Sequence, residues 1–322
     1  MKSIAPAALL CLFAAAALPG VALSEPGFRY DGPCDASAAV ALDAEHFIVA
    51  NDETNVLNVY RRGQAQAVGA VPLAKFLGTR ADEESDIEGA ASVGMRTYWI
   101  TSHGRDGKGK AHESRHRFFA TETTPGSPPS VKPVGRPYAR LLADLERDDA
   151  LEPYKLASAA RLAAEAAGGL NIEGLAATPD GRLLIGFRNP LVQQRALIVP
   201  LENPGEVIQG RRARLGGPIE LDLGGRGIRS IERVGTGYLI VAGPSADKGS
   251  FGLYRWSGRA GDAATLLTGV DLQDLRPEAM FAIPQSHSVQ LLSDDGGVKV
   301  GGVRCKKLPP AQQSFRSLTI TP

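Results

Sequence analysis

Short apolar segments recur along the chain, and a degenerate polar motif precedes each of them. The motif reads Asp-Ile-Glu-Gly-Ala-Ala at residues 86–91 and Asn-Ile-Glu-Gly-Leu-Ala at residues 171–176. Weaker copies occupy residues 230–234, 276–280 and 35–40. A motif that returns at intervals of roughly 50 residues is typical of folds built from repeated structural units.

The apolar segment after each motif copy predicts a second β-strand that ends in polar residues. These second strands are predicted at residues 46–52, 97–103, 182–189, 237–243 and 288–295. Third strands are predicted at residues 56–60, 117–121, 196–201, 252–256 and 301–305. We expect a fourth strand in each unit. Such small sheets cannot bury their faces alone, and radial packing solves this, so the sequence predicts an all-β, five-bladed β-propeller.

One interval between motif copies is longer than the others and predicts an insertion at about residues 122–170, between the second and third blades. Its proline-rich residues 125–137 are interpreted as a linker. Residues 152–167 are mostly strong helix formers and are followed by Gly168 and Gly169, which predicts a helix that caps the propeller. A six-bladed ring remains the alternative if the insertion contains a degenerate sixth unit.

The first 24 residues have the features of an export signal. Lys2 is followed by the apolar residues 4–18, and small residues precede Glu25. We therefore predict a signal peptide at residues 1–24, a single propeller domain at residues 25–322, and a periplasmic or secreted protein. An uncleaved N-terminal anchor is the alternative. No later segment predicts a membrane span.

The charge and cysteine content narrow the classes of function. Without Lys2 the chain has 35 basic and 35 acidic residues, a balance that argues against nucleic-acid binding. Only Cys34 and Cys305 lie beyond the predicted signal, and an exported protein with two cysteines is predicted to join them in a disulfide. Two buried free thiols are the alternative. The oligomeric state is not predicted.

Four segments together resemble a bacterial family catalogued as domain of unknown function 3616. They are Gly-Gly-Leu-Asn-Ile-Glu-Gly-Leu at residues 168–175, Gly-Phe-Arg-Asn-Pro at residues 186–190, Ser-His-Gly-Arg at residues 102–105 and Arg-His-Arg-Phe-Phe at residues 115–119. The family in turn is similar to the propellers described as "esterase-like activity of phytase". The resemblance implies an exported propeller and assigns no activity.

Carboxylates recur at one position of the motif. The five copies carry Ser37, Glu88, Glu173, Glu232 and Glu278 there. Because the first strand of a propeller blade lines the central channel, these carboxylates are expected to converge, and like charges need compensation. A Ca²⁺ ion held by Glu88, Glu173 and Glu278, with oxygen atoms added by Asp52 and Asp294, would supply it. The alternative is pairing within the protein, and Arg233 favours that alternative for Glu232.

A second cluster is basic and lies at residues 103–117, which contain three of the five histidines. Combined with the end of the predicted strand at residues 182–189, it predicts a rim that binds a small anionic ligand such as a phosphate or carboxylate. The residues predicted to contact that ligand are His103, Arg105, Lys110, Arg115, Arg188 and Asn189. A solvated, mobile loop is the alternative.

These two clusters support two hypotheses of function. The first is a metal-assisted hydrolase of an anionic ester or phosphoester, in which Ca²⁺ polarises the substrate and activates water. The second is a non-catalytic propeller that binds a ligand or protein through the same channel mouth. The fold alone cannot choose between them.

Overall fold

The structure is a computed structural model that describes residues 27–80, 82–246 and 248–322, together with the backbone of Leu23–Ser24. The predicted signal peptide and its cleavage site lie almost entirely outside the described residues. Within the described part of the chain, no helix has both the length and the apolar character that crossing a membrane requires.

The chain folds into five antiparallel sheets, which we number as blades 1 to 5 in chain order. Blade 1 has the strands Ala38–Ala41, His46–Ala50, Val56–Arg61 and Ala67–Pro72. Blade 2 has Ile87–Val93, Arg96–Thr101, Phe118–Thr124 and Ser130–Tyr138. Blade 3 has Asn171–Ala177, Leu183–Asn189, Ala196–Leu201 and Ile219–Leu221. Blade 4 has Gly227–Val234, Gly237–Gly243, Gly252–Trp256 and Thr265–Leu266.

Blade 5 is built from both ends of the chain. Its strands are Pro277–Ala282, Val289–Ser293, Ser314–Thr321 and, from the N-terminal side, Phe28–Asp31; Leu23–Ser24 also pairs with Ser314–Thr321. The N-terminal strand Phe28–Asp31 therefore completes the last blade and closes the ring. Sequence reasoning missed this strand because it is short and stands apart from the motif copies.

The first strand of every blade, which we call its inner strand, contacts the inner strands of the two neighbouring blades. These contacts run without a break from blade 1 through blade 5 and back to blade 1, so the predicted five-bladed ring is confirmed. Five apolar clusters fill the five interfaces between blades; Phe47 and Phe281, for example, stack with ring centroids 5.0 Å apart between blades 1 and 5.

Two predictions for single segments were wrong, one for a strand and one for a linker. The third strand of blade 5 is Ser314–Thr321, whereas residues 301–305 lie in a small hairpin of Lys299–Val300 and Val303–Arg304 that projects from the blade. The proline-rich residues 125–137 are no linker, since most of them form Ser130–Tyr138, the outermost strand of blade 2. An outermost strand tolerates proline because one of its edges needs no partner.

The insertion between blades 2 and 3 is helical, as predicted, but its helices are short. It contains the α-helices Leu141–Glu146 and Leu156–Ala159 and the 3₁₀ helix Asp149–Tyr154. The single helix predicted at residues 152–167 is therefore broken. Lys155 adopts a left-handed conformation with φ of 50° between the 3₁₀ and the α segment, which interrupts the helical hydrogen bonding.

Cys34 and Cys305 form the predicted disulfide, with their Cα atoms 5.9 Å apart. The bond joins the segment before the inner strand of blade 1 to the short 3₁₀ helix Cys305–Lys307, which follows the projecting hairpin of blade 5. The ring is thus closed twice between blades 5 and 1, by this bond and by the strand Phe28–Asp31.

Candidate functional site

The inner strands of blades 2 to 5 carry a β-bulge at the same position. The pairing with the second strand shifts around Glu88, Glu173, Arg229 and Glu278. A bulge re-aims the side chain that it carries. These four residues are therefore structurally equivalent, and the contacts described below bring their side chains into one group. Ser37 precedes the inner strand of blade 1 and donates through Oγ to the carbonyl of Ile87, 2.6 Å away.

The sequence alignment of blade 4 was wrong by three residues. Arg229, and not Glu232, takes the position that is glutamate in blades 2, 3 and 5. The local sequence Gly-Ile-Arg-Ser-Ile at residues 227–231 does match the motif, but the arginine concealed it. The Glu232 carboxylate instead accepts a hydrogen bond from the backbone of Ala282 at 3.1 Å and so links blades 4 and 5, while burial raises its pKa to about 7.

Two arginines compensate the converging glutamates. Nη1 of Arg188 at 3.0 Å and Nη1 of Arg229 at 3.2 Å donate hydrogen bonds to the Glu173 carboxylate. Nε of Arg229 lies 3.0 Å from the same carboxylate as an ion pair, and Arg229 also contacts the Glu278 carboxylate. The side chains of Glu173, Arg188, Arg229 and Glu278 are all about nine-tenths buried or more. We call these residues together with Glu88 the axis cluster, because the bulge residues lie on the inner strands. Arg229 thus occupies the place between carboxylates that the sequence assigned to a metal ion.

Glu88 is the exception within the axis cluster. It is 9 % exposed, and no hydrogen bond or ion pair joins its carboxylate to a residue that the structure describes. Burial, reinforced by the nearby Glu173 and Asp86 carboxylates, raises its pKa well above the usual range, and Arg229 offsets this only in part. Glu88 is therefore a buried carboxyl group that favours its protonated form.

A second group of carboxylates lies at one end of the channel. In each antiparallel blade the start of the inner strand and the end of the second strand lie at the same end. Asp35 precedes the inner strand of blade 1, while Asp52 and Asp294 follow the second strands of blades 1 and 5. We call these three residues the mouth cluster. The carboxyl group of Asp35 lies within hydrogen-bonding range of those of Asp52 and Asp294.

The mouth cluster lacks an internal arginine. Asp35 is 4 % exposed, and Oδ1 of Asp35 and Oδ1 of Asp52 are buried with no donor among the residues that the structure describes. Burial and mutual repulsion raise the pKa of Asp35 to about 10 and that of Asp52 to about 7. These carboxyl groups can remain together only by holding protons or by binding a cation.

Two features of blade 5 border the mouth cluster. The backbone N–H of Gly296 donates to Oδ1 of Asp294 at 2.8 Å, and a Cβ atom at Gly296 would lie 2.0 Å from Oδ1 of Asp35, so the approach requires glycine. Lys306, next to the disulfide, pairs through Nζ with Glu53 at 3.2 Å. Although burial opposes it, the contact with Glu53 raises the pKa of Lys306, with Asp52 and Asp35 adding to the effect.

The basic residues predicted to bind an anion already serve other partners. Arg105 donates to the carbonyls of Ala160 and Gly109, and Arg115 pairs with Asp86 at 2.9 Å and with Glu84. An anionic ligand would have to displace these contacts to use either guanidinium group. Their role in ligand binding stays a prediction.

Arg188 and Asn189 tie the insertion and blade 4 to blade 3. Besides Glu173, Arg188 contacts Glu165 at 3.3 Å and the carbonyls of Pro244 and Ala246. Asn189 donates through Nδ2 to the carbonyls of Ala164 and Ala166. These contacts hold neighbouring segments of the fold together. The predicted contact of Arg188 or Asn189 with an anion stays a prediction.

The last two residues predicted to contact the anion, His103 and Lys110, differ in their burial. His103 is 1 % exposed, stacks on His116 with ring centroids 5.5 Å apart, and has its pKa lowered to about 3 by burial. It is therefore neutral at physiological pH and supplies no positive charge. The Lys110 side chain is exposed. The structure thus places the predicted acidic residues in two groups, and Arg105, Arg115 and Arg188 of the predicted basic rim are each paired with other parts of the protein.

The fit of a metal ion to these residues is limited. Among the residues described, no three His, Cys, Asp or Glu side chains are already arranged to hold a metal ion. The predicted Ca²⁺ ligands also divide between two places, with Glu173 and Glu278 at Arg229, and Asp52 and Asp294 beside Asp35. A Ca²⁺ site that uses all five predicted ligands stays a prediction, and it would require Arg229 to move.

Sequence reasoning missed three residues that matter here, namely Asp35, Arg229 and Lys306. The signal for Asp35 was present, because it begins the most degenerate motif copy and is equivalent to Asp86 and Asn171. Arg229 could have been found by aligning the isoleucines Ile87, Ile172 and Ile228 in place of the glutamates. No sequence pattern marks Lys306, which reaches the site only because the ring closes.

The chain was compared with known families, proteins and structures. A family model described as "Protein of unknown function (DUF3616)" matches residues 35–121 and 136–290. No curated protein matches.

Solved structures with a similar fold share little sequence with the chain. Myxococcus xanthus glutaminyl cyclase is 14 % identical, with a TM-score of 0.49, and the match covers 94 % of this chain and 97 % of that one. The PQQ-bound aldose sugar dehydrogenase of Streptomyces coelicolor is 10 % identical with a TM-score of 0.43, covering 94 % and 100 %. The β-propeller domain of Myceliophteria thermophila Cps50 (Swd1) is 9 % identical with a TM-score of 0.42, covering 93 % and 99 %. No activity is carried over from similarities this low.

Proposed function

Because the chain belongs to the family of proteins of unknown function DUF3616, whose name assigns no activity, we propose a function from its own residues: the channel mouth binds a cation. The single observation that carries this proposal is the pair of buried, donorless oxygen atoms on Asp35 and Asp52. A buried carboxylate without a partner is costly, and a bound cation removes that cost. In the axis cluster, by contrast, Arg188 and Arg229 already form ion pairs with the Glu173 carboxylate.

The cation can be a metal ion or an organic one. Ca²⁺ prefers several oxygen ligands and is the metal ion we propose for the mouth cluster, where Asp35, Asp52 and Asp294 would hold it after a modest rearrangement. The location we propose is periplasmic or extracellular, because a disulfide such as Cys34–Cys305 persists in an oxidising compartment.

Thermal unfolding of chelator-treated protein tests the proposal. A ligand that binds only the folded state at a hundredfold excess over Kd stabilises it by about 2.7 kcal/mol, so added cation should raise Tm clearly. CaCl₂, MgCl₂ and n-butylammonium chloride are the probes. The rise should disappear in Asp52→Asn and persist in Glu122→Gln, a control on the outer part of blade 2. A Tm that is indifferent to all three cations would overturn the proposal.

Metal-assisted hydrolysis of an anionic ester or phosphoester is the second candidate, and Glu88 favours it. Burial raises the pKa of Glu88, which is the direction that a general acid requires, while Glu173 beside it is paired with two arginines. Two carboxyl groups in such different environments suit acid–base chemistry. In this candidate, Glu88 protonates the leaving group of a substrate at the mouth.

A panel of phosphoesters, lactones and carboxyl esters, assayed with and without chelator, tests the second candidate. If an activity is found, Glu88→Gln should lower kcat by about a hundredfold or more, because a positioned general acid contributes that much. Unchanged turnover in Glu88→Gln, or no turnover of any class, would leave cation binding without catalysis as the function.

A further inference from the structure

We propose that the mouth cluster takes the ammonium group of a primary amine, with Asp35 and Asp52 as its acceptors. This inference rests on the proposed function, in which the mouth binds a cation, and it names the chemical class of that cation. It differs from the sequence prediction, which placed Ca²⁺ on the axis glutamates and did not include Asp35.

The geometry of the acceptors is the first support. Oδ1 of Asp35 and Oδ1 of Asp52 are buried, neither has a donor among the described residues, and their carboxyl groups lie within hydrogen-bonding range of each other. Asp35 is only 4 % exposed, so solvent cannot readily supply the missing donor. The backbone of Gly296 packs closely against Oδ1 of Asp35, since a Cβ atom at this position would lie 2.0 Å from that oxygen.

An ammonium group fits these acceptors better than a metal ion does. It carries three donors and no acceptor, which matches Asp35 and Asp52 when both are ionised in the complex. A metal ion needs a cage of ligands, and the described residues contain no such cage. A guanidinium group is broad and planar, whereas an ammonium group at the end of an alkyl chain is compact. The low exposure of Asp35 means that only a slender group can reach it.

The chain itself supplies an example of the same recognition. Lys306 brings an ammonium group to the rim of the cluster, where Nζ lies 3.2 Å from Oε1 of Glu53 and is attracted by Asp52 and Asp35. Its side chain is 37 % exposed, so it does not fill the buried end of the site. Lys306 is thus a tethered competitor, held near the aspartates by the neighbouring Cys34–Cys305 bond.

Isothermal titration of the full chain at about pH 8 tests the inference with matched probes. n-Butylammonium is the minimal ligand, and tetramethylammonium is its control because it has the charge but no N–H donor. We expect n-butylammonium to bind at least about tenfold more tightly, since hydrogen bonds to charged groups exceed neutral ones. 1,5-Diaminopentane and N-acetyl-lysine methylamide then distinguish a free diamine from a lysine side chain of a peptide as the source.

Three variants and one control variant are expected to change amine binding in different ways. Asp35→Asn and Asp52→Asn should each weaken n-butylammonium binding by about tenfold or more, because each removes a charged acceptor. Lys306→Gln should strengthen binding by about threefold to tenfold, because it removes the competitor. Glu122→Gln should change binding by less than about twofold. Lys306 is partly exposed, so its variant is expected to fold even where an aspartate variant does not.

The outcomes separate this inference from the proposed function. Equal binding of n-butylammonium and tetramethylammonium, or weaker amine binding in Lys306→Gln, would overturn the ammonium site. Binding of Ca²⁺ alone, lost in Asp52→Asn, would also overturn it but would leave the proposed cation site standing. Failure of all cations to bind would overturn both.

Discussion

The axis cluster and the mouth cluster pose the same physical problem and meet it differently. Both gather buried carboxylates from different blades around one channel. At the axis, Arg188 and Arg229 are paired with the glutamates. At the mouth, Asp35, Asp52 and Asp294 lie close together, and Lys306 is paired with Glu53 at the rim. The Glu173 and Glu278 carboxylates at the axis are thus paired with arginines, whereas no arginine among the described residues forms an ion pair with Asp35 or Asp52.

This difference indicates which cluster is structural and which is functional. A buried ion pair with good geometry contributes little net stability, but removal of one partner is costly. A cluster with no internal partner lowers the stability of the unliganded protein, and such costs are typical of binding sites. We therefore assign the arginine-paired cluster to the linkage of blades 3, 4 and 5 and the uncompensated one to ligand binding.

Replacement of Arg229 should have the largest effect on the stability of the folded protein, because this residue is the shared partner of two buried carboxylates. Arg229→Gln leaves buried carboxylates of Glu173 and Glu278 without their shared partner, so the free energy of unfolding should fall by about 3–5 kcal/mol. Urea unfolding measures this, with exposed Arg255→Gln on the same blade as the control. Combining Arg229→Gln with Glu278→Gln should recover part of the loss. A loss no larger than that of the control would contradict the structural role of the axis cluster.

Replacement of Asp52 should raise the stability of the folded protein, whereas replacement of Arg229 should lower it. The pKa of Asp52 in the folded protein, about 7, lies above its ordinary value, so between these values the folded state binds more protons than the unfolded one. Stability should then fall as pH rises through that range. The charged groups around Asp52 are Asp35, Asp86, Glu88, Asp294, Glu53 and Lys306.

Asn mimics the neutral carboxyl, so Asp52→Asn should be more stable than the natural protein at about pH 8, by about 1–3 kcal/mol. The difference should vanish near pH 4, where Asp52 is protonated in the folded state. Thermal unfolding at both pH values measures it. A less stable variant at the higher pH would mean that the Asp52 carboxylate has a stabilising partner and that the mouth is complete after all.

The fold was predictable in outline because its repeat is visible in the residues themselves. The Ile-Glu-Gly copies at residues 86–91 and 171–176 mark inner strands, and the third strands Ala196–Leu201 and Gly252–Trp256 were predicted at their observed bounds. What failed depends on contacts distant in sequence. Phe28–Asp31 becomes a strand only because Ser314–Thr321 offers it an edge.

The site was less predictable than the fold, for a physical reason. The sequence correctly indicates that Glu88, Glu173 and Glu278 occupy equivalent positions, but it does not reveal what compensates them. Arg229 stands where the other copies have glutamate, so in the sequence this copy does not look like part of the repeat. In the structure, Arg229 is the partner of the glutamates in the other copies. Asp35 reads as the most degenerate copy, yet it meets Asp52 and Asp294 because blades 1 and 5 are neighbours.

Replacement of Glu232 should have the smallest effect on stability, because this residue belongs to neither the axis cluster nor the mouth cluster. Its carboxylate accepts one backbone hydrogen bond from Ala282, and Gln keeps a carbonyl acceptor there. We expect Glu232→Gln to change the free energy of unfolding by less than about 1 kcal/mol and to leave the response of Tm to cations intact. Loss of the cation response in this variant would show that the site extends beyond the mouth cluster.

The central claim is that a cation binds at the mouth and not at the axis, and anomalous diffraction tests it most directly. Rb⁺ has the charge and approximate size of an ammonium ion and scatters anomalously, so crystals of the protein soaked in RbCl at about pH 8 would reveal its position. The account predicts a peak between the carboxylates of Asp35 and Asp52, absent in Asp52→Asn. A peak between Glu173 and Glu278, where Arg229 now lies, or no peak at either cluster, would contradict it.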